Sequence, residues 1–297
     1  MPRSAPVDGF ALAYDRSGTG EPVILLHGWP GDRTDFRVLG PALALASGCD
    51  VIVPDLRGFG ESDKHPADQY SAAQYGPAGQ ARSVAGLIRE LDLGPVLLAG
   101  YDVGSRVAQA MAAQYPELLR GLVLSPPFPG IGRRVLEPQP QREFWYQSFH
   151  QLALADQLID GQPDQVRAYL SHFWSHWSGP GFELDPSYLD HLVAVYSPPG
   201  AFTASIAWYR SGSGAVARSL AEQVPDPADR IAVPVTALWP EFDPLFPRAW
   251  SDRLEEFFSA ATLRPVDGAG HFTPLECPAE FAAAIHDTLV ATRHVRS

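Results

Sequence analysis

Cysteine is scarce in this chain: Cys49 and Cys277 are the only two among 297 residues. They lie far apart, in no metal-ligand or redox spacing, so they read as two free thiols rather than a disulfide framework. Positive charge is also short, with 22 basic against 34 acidic side chains and a formal net charge of −12. Phosphate binding needs a concentrated basic face, which argues against a nucleic-acid partner. No block of like charge is long enough to form an interaction tail. No apolar run approaches the ~18 residues that span a bilayer, and residues 1–9 lack the apolar core of a secretory leader. These absences predict a cytoplasmic protein without a membrane partner. Internal repeats and low-complexity segments are missing too.

What is present is a globular composition, 45% hydrophobic and 19% charged, with a regular alternation of patterns. Short apolar runs at 23–26, 51–53, 96–99 and 122–124 each read as a buried strand. Amphipathic stretches at 75–91 and 104–115 read as helices between them. Continuous apolar strands alternating with helices predict a mostly parallel α/β sheet covered on both faces. The alternation stops near Pro126-Pro127. From there to about residue 230 the pattern is helical and aromatic, with Val166, Tyr169, Leu170, Phe173, Trp174 and Trp177 at helical spacing. Strands resume at 233–239 and 262–266, with helices expected around 248–258 and after Pro278. The division expected is a core of residues 1–127 and 231–297, interrupted by a helical lid over 128–230.

The chemistry centres on Val96-Leu-Leu-Ala-Gly100-Tyr101-Asp102-Val103-Gly104. A strand running into Gly-x-Asp-x-Gly and leaving as a helix is a nucleophile elbow, whose glycines allow strand and helix to approach closely. The residue at its tip is Asp102, where serine is usual. Leu26-His27-Gly28-Trp29-Pro30 follows the first strong strand and resembles the oxyanion segment of α/β-hydrolases. Gly268-Ala-Gly-His271 follows the last strand and supplies a general base. Asp243 follows the preceding strand as the orienting acid, with Glu241 as a competitor. The chain resembles the α/β-hydrolase superfamily over nearly all of its length outside the lid. That resemblance makes the backbone N–H groups of Trp29 and Val103 the oxyanion donors, and it predicts a sharp turn at Trp29–Pro30 with a cis bond. Asp55-Leu-Arg-Gly-Phe-Gly-Glu-Ser-Asp resembles a further superfamily segment that shapes the loop after a strand.

A carboxylate nucleophile changes the reaction. Free aspartate ionises near pH ~4, so it needs no base in order to attack. Attack on an ester carbonyl would give a mixed anhydride and gain little. Attack on a saturated carbon bearing a leaving group gives a stable alkyl ester, which water activated by His271 can then hydrolyse. Epoxides and alkyl halides are the two substrate classes that fit.

The lid favours epoxides, whose oxygen is a poor leaving group unless protonated. Glu143-Phe-Trp-Tyr146-Gln resembles the first lid segment of soluble epoxide hydrolases, and Ala207-Trp-Tyr209-Arg-Ser the second. The resemblance makes Tyr146 and Tyr209 the ring-opening acids. Haloalkane dehalogenases usually carry tryptophan where this chain has Val103. Fluoroacetate dehalogenases carry two arginines after the nucleophile, and only the second is matched, by Arg106. Val103 also departs from many epoxide hydrolases. His27, Pro30, Trp174 and Trp177 are candidate substrate contacts, the two tryptophans suiting a broad pocket for a bulky or aromatic epoxide. His172 and His176 sit four apart on a helix, but with no third ligand they read as lid surface or packing. The expectation is an enzyme using water, with no cofactor and no metal. The alternatives are a dehalogenase and a hydrolase fold kept as a ligand receptor without turnover.

Overall fold

The apolar runs form the middle of a sheet in the computed structural model, which describes residues 1–46, 48–66 and 69–293. Among those residues the strands are β1 (Tyr14–Gly18), β2 (Glu21–Leu26), β3 (Cys49–Pro54), β4 (Val96–Gly100), β5 (Leu119–Leu124), β6 (Val235–Pro240) and β7 (Ala261–Val266). They lie in the order β1-β3-β2-β4-β5-β6-β7. Only β1 is antiparallel to its neighbour; the remaining pairs are parallel. β3 and β4 are buried at every position, the reason they read as unbroken apolar runs. β1 has no such signature, because Tyr14-Asp-Arg-Ser-Gly buries only its first residue. Its charges suit an edge strand.

Chain order decides which face each helix covers. β2 leads through α1 (Leu39–Ala46) to β3 on one side. β3 then leads through α2 (Pro77–Glu90) back past β2 to β4, and β4 leads through α3 (Val103–Gln114) to β5. Parallel crossovers are right-handed, so this reversal puts α1 on one face and α2 and α3 on the other. The reversal falls between β2 and β4. Sheets of this kind build their sites at the carboxyl ends beside such a point.

Between β5 and β6 the described residues form no strand. That connection folds as α4 (Pro138–Glu143), α5 (Trp145–Phe149), α6 (Ala153–Ile159), α7 (Pro163–Trp177), α8 (Pro186–Tyr196), α9 (Ala201–Arg210) and α10 (Ala215–Ala221). α7 buries Val166, Leu170, Phe173, Trp174 and Trp177, the stripe that its helical spacing predicts. α8 starts at Pro186 behind Asp185, whose side chain caps it by accepting from the Ser187 N–H at 2.8 Å. After β7 come α11 (Thr273–Glu276) and α12 (Pro278–Arg293). α12 packs on α1, and α2 on α3, as the crossover argument requires. The helix expected around 248–258 is a tighter 3-10 run, Arg248–Glu256, broken at Arg253. Among the described residues no helix is long and apolar enough to cross a membrane.

The Asp55 segment does shape a loop. Its buried carboxylate accepts from the Arg33 and Glu61 backbone N–H groups and pairs with the Arg33 guanidinium at 2.6 Å.

Candidate active site

β4 ends at Gly100 and α3 begins at Val103, which leaves Asp102 on a bend with φ 49° and ψ −119°. A positive φ is rare for a residue with a side chain and costs of order 1–3 kcal/mol. The flanking glycines are there because space allows nothing larger. A Cβ on Gly104 would stand 2.1 Å from the Leu26 carbonyl oxygen, and one on Gly100 would stand 2.9 Å from the Gly104 backbone.

β2 pairs with β4 so that Leu26 lies opposite Gly100, which delivers the next segment of chain to Asp102. The Trp29 backbone N–H donates to Asp102 Oδ1 at 2.7 Å. The Trp29–Pro30 bond is cis, as the sequence predicts; Pro126–Pro127 is cis as well. Val103 is the first residue of α3, where a backbone N–H has no acceptor within the helix.

The loops after β6 and β7 bring the remaining pair. His271 Nδ1 donates to Asp243 Oδ2 at 2.9 Å, while Asp243 Oδ1 accepts from the Leu245 N–H at 2.8 Å. His271 Nε2 stands 3.4 Å from Asp102 Oδ2 and makes no hydrogen bond. Asp102, Asp243 and His271 are all buried. Burial penalises the imidazolium, but the Asp243 and Asp102 carboxylates outweigh it and raise the His271 pKa to about 10. Glu241, the competing acid, is used elsewhere: its carboxylate accepts from the Gly268 N–H at 3.0 Å.

Tyr146 on α5 and Tyr209 on α9 are buried, with ring centroids 5.5 Å apart and planes at 87°. Both line one cavity with Asp102, Val103, Arg106 and Gln147. Gln147 donates to the Tyr146 hydroxyl oxygen at 3.1 Å. Burial pushes both phenols above their ordinary value, so both remain protonated at neutral pH. The cavity measures about 10 Å³, room for roughly one water molecule. The space beside Asp102 is therefore narrow.

Neither Trp174 nor Trp177 lines the cavity beside Asp102, and the aromatic rings around it pack on one another. Trp29 lies parallel to Tyr146 at 5.7 Å and edge-on to Phe173 at 4.9 Å. Trp174 is not among the residues lining the cavity. It stacks on Phe272 at 3.7 Å and donates its indole N–H to the Pro30 carbonyl at 3.1 Å. Trp177 stands closer, 5.2 Å from both His271 and Tyr146 between ring centroids, and its carbonyl accepts the His271 backbone N–H. His27 and Pro30 do not line the cavity either. The His27 ring bridges the Gly28 carbonyl and the Leu56 N–H. His172 and His176 stack on each other, and His176 pairs with Glu143 at 2.7 Å.

Sequence reasoning missed three contributors. Gln147 holds Tyr146, and its place beside that tyrosine was the only signal. Glu276 accepts backbone N–H groups from Gly179, Gly270 and Phe272, which pins the His271 loop to the end of α7. A carboxylate inside Phe-Thr-Pro-Leu-Glu-Cys-Pro could have been flagged as a buried acceptor. From sequence, Arg106 is noted only as the matched second arginine of the fluoroacetate dehalogenase pattern, not as part of this site. Its guanidinium lines the cavity, bonds the neutral Phe128 carbonyl and Gln109 amide, and leaves Nε unpartnered. Burial lowers its pKa to about 10.

A carboxylate at the elbow accepts a backbone N–H and faces a buried imidazole, which is hydrogen-bonded to a second carboxylate. The chain belongs to the α/β-hydrolase fold family, whose model matches residues 21–278. It is 28% identical over 281 residues to the soluble epoxide hydrolase of Corynebacterium sp. (strain C12), covering 92% of each chain. It is 27% identical over 198 residues to a fluoroacetate dehalogenase of Burkholderia sp, covering 66% of this chain and 64% of that one. A putative epoxide hydrolase structure from Klebsiella pneumoniae superposes with a TM-score of 0.80 at 25% identity, covering 97% of this chain and 96% of the other.

Proposed function

We propose that the chain is an epoxide hydrolase that works through a covalent ester on Asp102. The observation that carries this reading is a carboxylate at the elbow, facing a buried imidazole and sharing one cavity with two protonated phenols. Likeness to a soluble epoxide hydrolase supports it. The helices of residues 128–230 then act as a lid over a core of residues 1–127 and 231–297.

In the first step an Asp102 oxygen bonds to one epoxide carbon as the bond from that carbon to the ring oxygen breaks. Tyr146 and Tyr209 hydrogen-bond the departing oxygen, and one phenol gives it a proton. In the second step His271 takes a proton from water, and the hydroxide attacks the carbonyl carbon of the ester. The Trp29 and Val103 N–H groups receive the oxyanion, each such donor being worth about 3 kcal/mol. Collapse returns the Asp102 carboxylate and the diol. Ester hydrolysis to a carboxylate frees one proton overall, which balances the one given up by the phenol.

The raised pKa of His271 fits this order of events. At rest the ring is an imidazolium between two carboxylates. Alkylation makes Asp102 neutral and removes one of the charges that hold the proton, so the ring can release it to solvent, and it later keeps the proton it takes from water. The base therefore appears only once there is an ester to hydrolyse.

Arg106 favours a second reading, a haloacid dehalogenase, because a buried cation with neutral partners on the cavity suits a substrate carboxylate. A panel of small aliphatic epoxides, styrene oxide and haloacetates, scored for diol and for halide, separates the two. Diol formation supports the first reading, and halide release alone supports the second. If a folded protein released neither, both would be overturned in favour of a ligand receptor.

A further inference from the structure

One buried carboxylate outside this chemistry contacts the residue before Asp102, the segment that carries Trp29, and α8. Asp35 is buried in the 3-10 turn Arg33–Phe36, just beyond the oxyanion segment. Its Oδ2 accepts the hydroxyl of Tyr101, the residue preceding Asp102, at 2.6 Å. Its Oδ1 accepts the hydroxyl of Tyr188 on α8. A Cβ on Gly31 would collide with Asp35 Oδ2 at 2.2 Å, so the carboxylate lies directly against the segment that carries Trp29. α8 adds parallel ties to the same stretch: His191 Nε2 to Asp32 Oδ2 at 2.7 Å, and the Tyr196 hydroxyl to the Gly31 carbonyl at 2.7 Å.

A buried charge is costly, and an apolar side chain could fill this volume without that cost. What an apolar side chain could not do is link two phenols from separate elements. We propose that Asp35 is a positioning residue, tying the nucleophile elbow and the oxyanion segment to α8 and so fixing the arrangement in which the Asp102 ester is hydrolysed. The positioning role rests on the reaction proposed above; the tie itself does not. With space for about one water beside Asp102, binding an epoxide calls for some widening of the site. The Tyr188–Asp35 bond then returns the site to this arrangement.

The test uses the full chain with Tyr188→Phe, Asp35→Asn and the double variant. Amide hydrogen exchange, which needs no substrate, should quicken by about tenfold or more in residues 29–37 and 186–196 of each variant. With an epoxide that the wild type converts, kcat should fall about tenfold or more while KM stays within about threefold. The double variant should be no worse than the poorer single one, since all three break the same link. Wild-type exchange in both segments would overturn the tie, whatever reaction Asp102 performs. Faster exchange with wild-type kcat would overturn the positioning role. If the wild type converts no epoxide, the assigned reaction fails and exchange alone still decides the tie.

Discussion

The Trp29 backbone N–H sits 2.7 Å from Asp102 Oδ1, so the group proposed as oxyanion donor already holds the proposed nucleophile before any substrate arrives. The same bond leaves Oδ2 as the oxygen that faces His271. After alkylation the ester carbonyl oxygen can keep the Trp29 contact, and this is the oxygen that becomes an oxyanion when water attacks. On the proposed mechanism one donor serves both the resting carboxylate and the second transition state.

Opposite pH behaviour of the two steps follows from the charge on His271. Its pKa of about 10 leaves it protonated at neutral pH, and the attacking carboxylate needs no base. Alkylation should therefore be flat between about pH 6 and 8. Hydrolysis should accelerate as pH rises through the lower pKa that His271 takes once Asp102 is neutral. Rapid-quench measurement of ester formation and decay resolves the steps. An alkylation rate that rises with pH while ester decay stays flat would contradict the assignment.

The two lid phenols should matter to ring opening and not to folding. Tyr146→Phe and Tyr209→Phe should each slow ester formation by about 10²–10⁴, the range for losing a general acid. Each ring keeps its packing, so both variants should melt close to the wild type. Near wild-type ester formation in both would show that another group protonates the leaving oxygen.

Asp35 gives a stability prediction with a definite sign. Burial raises its pKa from the ordinary carboxylate value to about 6; Asp32 adds to that rise, and the Tyr101 and Tyr188 bonds oppose it. A raised pKa means that its contribution to stability is full below pH ~4 and lost as pH rises through about 6. The loss is about 3 kcal/mol at most, from a shift of about two units. Asp35→Asn removes this titration. The melting temperature of the variant relative to wild type should therefore improve between about pH 4 and 7. A variant melting temperature that stays level or falls relative to wild type over that range would contradict a buried, ionised Asp35.

Much of this site is legible in the sequence because its parts are local. The glycines around Asp102, the turn at Trp29–Pro30 and the loop holding His271 each follow a buried strand, and the parallel register aligns those strand ends. Which acid meets His271 needed the structure, since Glu241 and Asp243 are two residues apart and only loop geometry turns Asp243 inward. The helical stripe of α7 was readable, but its partners were not. Spacing shows that Trp174 is buried, yet not that Phe272, about a hundred residues away, covers it. Asp35 was invisible for a related reason: in Gly31-Asp-Arg-Thr-Asp35 it looks like a polar turn, and its partners Tyr101 and Tyr188 come from distant elements. β1 escaped notice because an edge strand can be polar.

The central claim is that Asp102 becomes esterified, and one isotope measurement addresses it. Wild-type protein at a concentration above that of the epoxide completes a single turnover in water labelled with heavy oxygen. The peptide carrying Asp102 is then weighed alongside the diol. Attack of water on the ester carbonyl should put the label into the Asp102 carboxylate and leave the first diol unlabelled. Label in the diol with none in Asp102 would mean that water attacks the epoxide directly, with Asp102 as a base, and would contradict the covalent mechanism.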